Sequence, residues 1–198
     1  MIRFEPDRVN RGFAVAADEK ESRMGPFRFL ARVIIGLLFI GHGTQKLFGW
    51  FGGGGPDGTA DMFDSIGLQP GRRNALVAGA AEAGGGLLFA FGAATPLAAA
   101  ALSSVMISAI KTVHWEKGVW SSQGGYEYNL VLLMAAFSLT ENGPGEWSVD
   151  GLLGKPRWGT VWALAALAAG ASGSAAALAA AKQQRPAAES REPVAAPA

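Results

Sequence analysis

Apolar blocks long enough to cross a lipid bilayer constrain this chain more than any other feature. A spanning helix needs about 20 largely apolar residues, within a range of about 17–25. Residues 27–48 meet this with Arg32 as an internal charge, and residues 75–94 meet it with Glu82 alone. Residues 96–115 follow at once, and Gly92, Thr95 and Pro96 punctuate the join. Pro suits the first turn of a helix, so a tight helical hairpin is predicted there. Residues 126–140 are apolar over a shorter core and need Tyr126, Tyr128 and Asn129 as an interfacial end. Residues 158–181 are long enough but rich in Ala, which contributes little to insertion beside Leu, Ile, Phe or Val. They are expected to form an additional helix, either a fifth span or one lying at the surface. The expected fold class is all-α: a transmembrane four-helix antiparallel bundle, with a fifth, Ala-rich C-terminal helix left open.

The polar residues collect at the ends and in two loops. Residues 1–26 mix Arg3, Arg8, Arg11, Lys20 and Arg23 with acids, show no apolar periodicity and read as a flexible arm. A cleavable signal peptide places its apolar stretch first, so the first block is expected to be a retained anchor. With Arg28 the arm side carries six basic residues, against Arg72 and Arg73 in the loop 49–74, which puts the N-terminus in the cytoplasm. Residues 27–157 form the expected membrane domain, and residues 182–198, rich in Pro, Ala and charge, an expected disordered tail. Within the loop 49–74, Gly52 to Gly55 make a turn. Residues 59–68 then offer Met62, Phe63 and Ile66 to one face of a short surface helix.

Composition removes whole classes of chemistry. With no Cys, disulfide scaffolds, thiolate nucleophiles, Cys-ligated zinc, iron–sulfur clusters and covalently attached c-type haem are excluded. A net charge of +1 gives no basic field for nucleic acid. There is no HExxH and no Glu-x-x-His pair, so no divalent metal site is expected. Haem held by His42 and His114 is disfavoured, because nothing fixes the distance between them.

Up-down connectivity then sorts the polar residues by depth. His42, Gln45 and Lys46 close the first block, and Glu82 lies about two turns into the second from the same side. Lys111 and His114 end the third block on that side, and Tyr126, Glu127 and Asn129 begin the fourth there. Charges at membrane depth cost about 2.5–3.5 kcal/mol each, so they pair or face a wet cavity. Lys46, Lys111 or His42 is therefore the expected partner of Glu82. The cluster fits a proton-handling or quinone-head-group site, and equally a salt bridge that only holds the helices together. Gly79, Ala83, Gly84, Gly85 and Gly86 are expected to form a packing face beside Glu82.

The run Gly41-His42-Gly43-Thr44-Gln45-Lys46-Leu47-Phe48-Gly49, Glu82 with Gly84 and Gly85, Gly125-Tyr126-Glu127-Tyr128, and Gly143-Pro144-Gly145 with Ser148 and Asp150 resemble the DoxX family over residues 27–154. The resemblance implies a four-helix protein of the bacterial inner membrane, associated with membrane-bound redox complexes. The family's relatives include a subunit of thiosulfate:quinone oxidoreductase. His42, Gln45, Lys46, Glu82, Tyr126 and Glu127 are the matching positions, and they come without established roles. The leading expectation is a membrane subunit or anchor of a redox complex with a quinone-adjacent site. Lipid and redox-enzyme proteins would be its partners, and homo-oligomerisation and enzymatic activity are left open. A small-solute or proton-coupled transporter, or a pure scaffold, are the alternatives.

Overall fold

The structure, a computed structural model, describes residues 6–184, with side chains from Gly25 onward. Most of the expected C-terminal tail, residues 185–198, lies outside the described residues, as do residues 1–5. Among the described residues every regular element is helical. Helix α1 (Pro6–Phe48) carries the first apolar block, and its membrane-length part is Gly25–Phe48. A short α2 (Gly55–Ser65) follows the Gly-rich turn. Then come α3 (Gly71–Phe91) and α4 (Thr95–Ala109), which continues through a π-helical turn, Ile110–His114. The series closes with α5 (Glu127–Glu141), the single turn α6 (Val149–Leu152) and α7 (Thr160–Gln183).

Four helical stretches are long and apolar enough to cross a membrane: Gly25–Phe48, Gly71–Phe91, Thr95–Lys117 and Thr160–Gln183. The all-α membrane bundle is therefore as expected, but its fourth long helix is the Ala-rich one. At 1.5 Å per residue α7 is about 36 Å long and α5 about 22 Å. Gly143 (φ +79), Pro144 and Gly145 (φ +81) end the helical path soon after Glu141, which leaves α5 short. In α7, Gly170 lets the helix lie against α4. A Cβ there would stand 2.6 Å from the Ser103 Cβ and 2.9 Å from the Ala100 carbonyl oxygen.

Helix α4 is central, packed against α3, α5 and α7, while α1 packs mainly on α3. The core runs through Phe39, Phe89, Leu102, Met106, Leu132 and Ala166. On the outside, Ile34, Leu37, Leu87, Val131 and Leu164 are exposed. A continuous apolar exterior of this kind is suited to lipid.

The α1–α3 contact is built on small residues, as in close-packed membrane helices. A Cβ on Gly43 would meet the Gly79 carbonyl oxygen at 2.6 Å, and one on Gly36 would meet that of Gly86 at 2.6 Å. The expected packing face divides in three. Gly79, Ala83 and Gly86 meet α1, and Gly85 meets Leu102 of α4. Gly84 differs from expectation: it is exposed, and nothing lies within 4 Å of the place its Cβ would take.

Candidate functional site

The two ends of the bundle have opposite characters. At one end the predicted α3–α4 hairpin meets the loop between α5 and α7. Helix α3 closes with Gly92 at φ +61, whose N–H bonds the Phe89 carbonyl while that of Ala93 reaches Leu88, a Schellman-type stop. Here the loop is fastened by two charges. Arg32, 1% exposed, donates from Nε to the Ala90 carbonyl (2.9 Å), from Nη1 to Pro144 (2.5 Å) and from Nη2 to Trp147 (2.6 Å). Asp150 accepts from the Ala94 N–H (2.8 Å), the Thr95 N–H (2.9 Å), the Thr95 hydroxyl (2.7 Å) and Trp158 Nε1 (2.9 Å). A cation thus meets a carbonyl in the last turn of α3 and an anion the N-terminal amides of α4, each opposite in sign to the local helix dipole. Burial pushes the Asp150 carboxyl up, but the hydrogen bonds from Thr95, Trp158 and Ala94 outweigh it and hold it below the ordinary carboxylate range. These hydrogen bonds are spent on the fold.

At the other end the polar residues surround a space. Lys46 near the end of α1 and Glu82 in α3 form an ion pair, Nζ to Oε2 at 2.5 Å. Glu82 is 3% exposed. The pair forms because Gly43, less than one turn before Lys46, brings the two helix backbones together. It stands at the wall of a cavity of about 300 Å³ between α1, α2, α3, α4 and α7. The wall is largely apolar, with Val77, Ala81, Val105, Val113 and Leu178 among its residues. Asn74, Ser104, Ser108, Thr112 and His114 supply its other polar groups. Helix α2 forms its roof through Met62 and Phe63. That roof is pinned: the Gly71 N–H donates to Asp64 Oδ1 (2.7 Å), and Asn74 Nδ2 donates to the Leu68 carbonyl (2.9 Å).

The π turn places His114 on the cavity wall; such turns often occur at functional sites. His114 Nδ1 lies 2.6 Å from the Gly124 carbonyl. A carbonyl only accepts, so Nδ1 carries the hydrogen and the neutral ring keeps its lone pair on Nε2. Thr112 gives its hydroxyl hydrogen to the Ser108 carbonyl (2.9 Å) and Ser108 Oγ pairs with Ser174 Oγ (2.8 Å). It is therefore the buried ion pair in a wall of hydrocarbon that can orient a small ring bearing hydrogen-bond acceptors and exchange a proton with it.

The remaining expected site residues sit at this end but line other features. His42 is exposed, with Nδ1 3.1 Å from Gln45 Oε1, and Gln45 Nε2 donates to the Phe51 carbonyl at 3.4 Å. His42 touches the ion pair through its backbone: Lys46 Nζ donates to the His42 carbonyl at 3.4 Å. Lys111 lies over the Trp115 ring at 5.7 Å, and Tyr126 stacks on the same ring with centroids 5.7 Å apart. Glu127 Oε2 accepts the Ser121 N–H at 3.0 Å. These three brace the loop around Trp115 and leave the cavity wall to Lys46, Glu82 and His114. Ser104, Ser108 and Thr112 were not singled out in the sequence. Their recurrence every fourth residue was the signal, since it puts three hydroxyls on one helix face.

No solved structure matches the chain. The chain is similar to a Bacillus subtilis (strain 168) protein named "Putative oxidoreductase CatD", at 33% identity over 121 residues. That stretch covers 61% of this chain and 82% of the relative. A family profile described as DoxX matches residues 27–115, which carry the C-terminal part of α1, α2 to α4, the π turn, Lys46, Glu82 and His114. This chain belongs to the DoxX family.

Proposed function

We propose that the protein is a membrane subunit or anchor of a redox complex, and that its cavity receives the head group of a quinone. The observation that carries this reading is the Lys46–Glu82 pair at the wall of an otherwise apolar space of about 300 Å³. That volume is at the lower end for small-molecule sites, about 300–1,000 Å³, and suits one substituted ring. Apolar walls with a few placed polar groups match what such a ring needs. The Lys46 ammonium would donate to a ring carbonyl, Glu82 would hold or release a proton beside it, and His114 offers a second exchangeable site. The name of the Bacillus relative supports the redox part of the reading. When bound, the quinone would supply the electron chemistry, and this chain would bind, orient and protonate it. The basic residues before the first span favour a cytoplasmic N-terminus in a bacterial inner membrane, which sets the cavity in the outer half of the bilayer.

Native purification of the full chain in mild detergent, with mass spectrometry of what comes with it, tests the reading. The expected result is bound quinone together with redox-enzyme polypeptides, and loss of the quinone from Glu82→Gln at unchanged elution volume. Equal quinone in both preparations overturns the site. Solute uptake by proteoliposomes that Glu82→Gln abolishes would make it a transporter instead. A variant changed only in thermal stability would make the pair a structural clamp.

A further inference from the structure

The cavity is covered on the side facing the end of the bundle and open on another side. Toward the end, α2 lays Met62 and Phe63 over it, fixed by the Asp64–Gly71 and Asn74–Leu68 hydrogen bonds. At the same end, Arg73 at the start of α3 is joined to Gln184 after α7. The Gln184 side-chain oxygen, turned toward the guanidinium, accepts from it at 2.8 and 3.2 Å. Deeper in, α3 and α7 both pack on α4 but scarcely on one another. The gap between them is lined by Val77, Ala78 and Ala81 from one side and Ala177 and Leu178 from the other, over a floor that includes Ser104 and Ser108 of α4. Val77 is 61% exposed on the apolar exterior. One turn beyond Ala81, Gly84 is exposed, and a Cβ there would meet nothing within 4 Å.

We propose that the cavity is loaded sideways from the bilayer through the gap between α3 and α7. Its ligand carries an apolar tail that stays in this gap while the head group meets Lys46 and Glu82. The inference rests on the reading of the cavity as a quinone-head-group site, and it adds the entry route and the class of ligand, a tailed amphiphile. The small side chains along the gap leave the tail its room. A tail in the gap stays among hydrocarbon throughout, so only the head group exchanges one environment for another.

The test uses the full chain in mild detergent and two probes that quench its tryptophan fluorescence. One is 2,3-dimethoxy-5-methyl-1,4-benzoquinone, and the other is the same ring with a decyl tail. The wild type is expected to bind the tailed probe more tightly. Val77→Phe and Ala177→Phe sit at the lipid-facing mouth, and each should weaken the tailed probe about tenfold, the worth of one or two buried methylenes. Both residues also border the cavity, so the tailless probe should weaken too but distinctly less, and an equal loss of the two probes overturns the route. If both variants bind the tailed probe as the wild type does, or if the wild type binds the two probes equally, the lateral route is overturned while the head-group site stands. If the wild type binds neither, both readings fall. A second measurement needs no bulky mouth. The chain has no Cys, so a nitroxide on Val77→Cys reports one position, and it should be relaxed by oxygen more than by an aqueous nickel chelate. The opposite order overturns the portal.

Discussion

Thr95 gives both its backbone N–H and its hydroxyl to one carboxylate oxygen of Asp150, a residue that lies 55 positions further along the chain. The start of α4 has no side-chain cap of its own. The cap arrives from the loop after α5, so the α3–α4 hairpin is complete only when that loop has docked. Ala94, held at φ +45, is a strained position that this docking keeps in place.

Asp150→Ala should therefore lower stability by about 2–3 kcal/mol, since charge-assisted hydrogen bonds to buried groups are lost together. Asp150→Asn should recover part of this, because its one carbonyl oxygen can still accept. Thermal unfolding in detergent, followed by circular dichroism, checks the order wild type, Asn, Ala.

The same carboxylate makes stability depend on pH in a stated direction. Its folded pKa lies below the ordinary aspartate value of about 3.9. The unfolded chain thus binds the proton more readily, and the contribution is fully present above that value. It is lost as pH falls from there through the folded pKa. Between pH 7 and 5 the wild type should show no loss from this group. Below about pH 4 the gap between the wild type and Asp150→Asn should narrow.

Removing one partner of a buried ion pair costs about 3–5 kcal/mol, whereas replacing both can be nearly neutral. Lys46 keeps 21% of its side-chain exposure, so Glu82→Gln and Lys46→Met should each cost about 2–3 kcal/mol. The double variant should cost less than the sum, and a four-way cycle of unfolding midpoints measures the coupling. Additive losses would mean that the pair does not hold α1 to α3.

Gly43 and Gly84 make a matched test of the helix interface. Gly43→Ala drives a methyl into the α3 backbone, an overpacking that should cost about 1–3 kcal/mol. Gly84→Ala faces open space and should stabilise by about 0.5–1 kcal/mol through the helix propensity of Ala. Equal destabilisation by the two would contradict the packing described above.

Arg32→Lys should be nearly as harmful as Arg32→Gln. A single ammonium cannot reach carbonyls of three residues in the fixed fork that the guanidinium provides. Proteolysis within the loop 142–159 should become faster in both variants, because that loop loses its anchor.

Depth in the bundle was readable from the sequence, and direction around each helix was not. Alternating chain direction placed Lys46, Glu82 and His114 at one end, and the lone acid at membrane depth in α3 demanded a cation. Lys111, Tyr126 and Glu127 were placed at the same end by the same rule, yet they turn to Trp115, a choice made by the geometry of the loop 118–126. Arg32 left no readable trace of its partners, since they are main-chain oxygens of Ala90, Pro144 and Trp147, which any residue could supply. The strength of α7 was understated for a related reason. Ala and Gly score poorly for lipid, but at Gly170 the absence of a side chain is what brings the helix onto α4.

Helix α7 runs the height of the bundle, from the loop that Arg32 and Asp150 secure to the end where Gln184 meets Arg73. With α1, α3, α4 and the shorter α5 it makes five helices that run alternately between the two ends, an odd number. The chain therefore leaves the bundle at the end opposite to the one it enters. Where all five helices cross the bilayer, a reporter fused ahead of α1 and another fused beyond Gln184 would stand in different aqueous compartments.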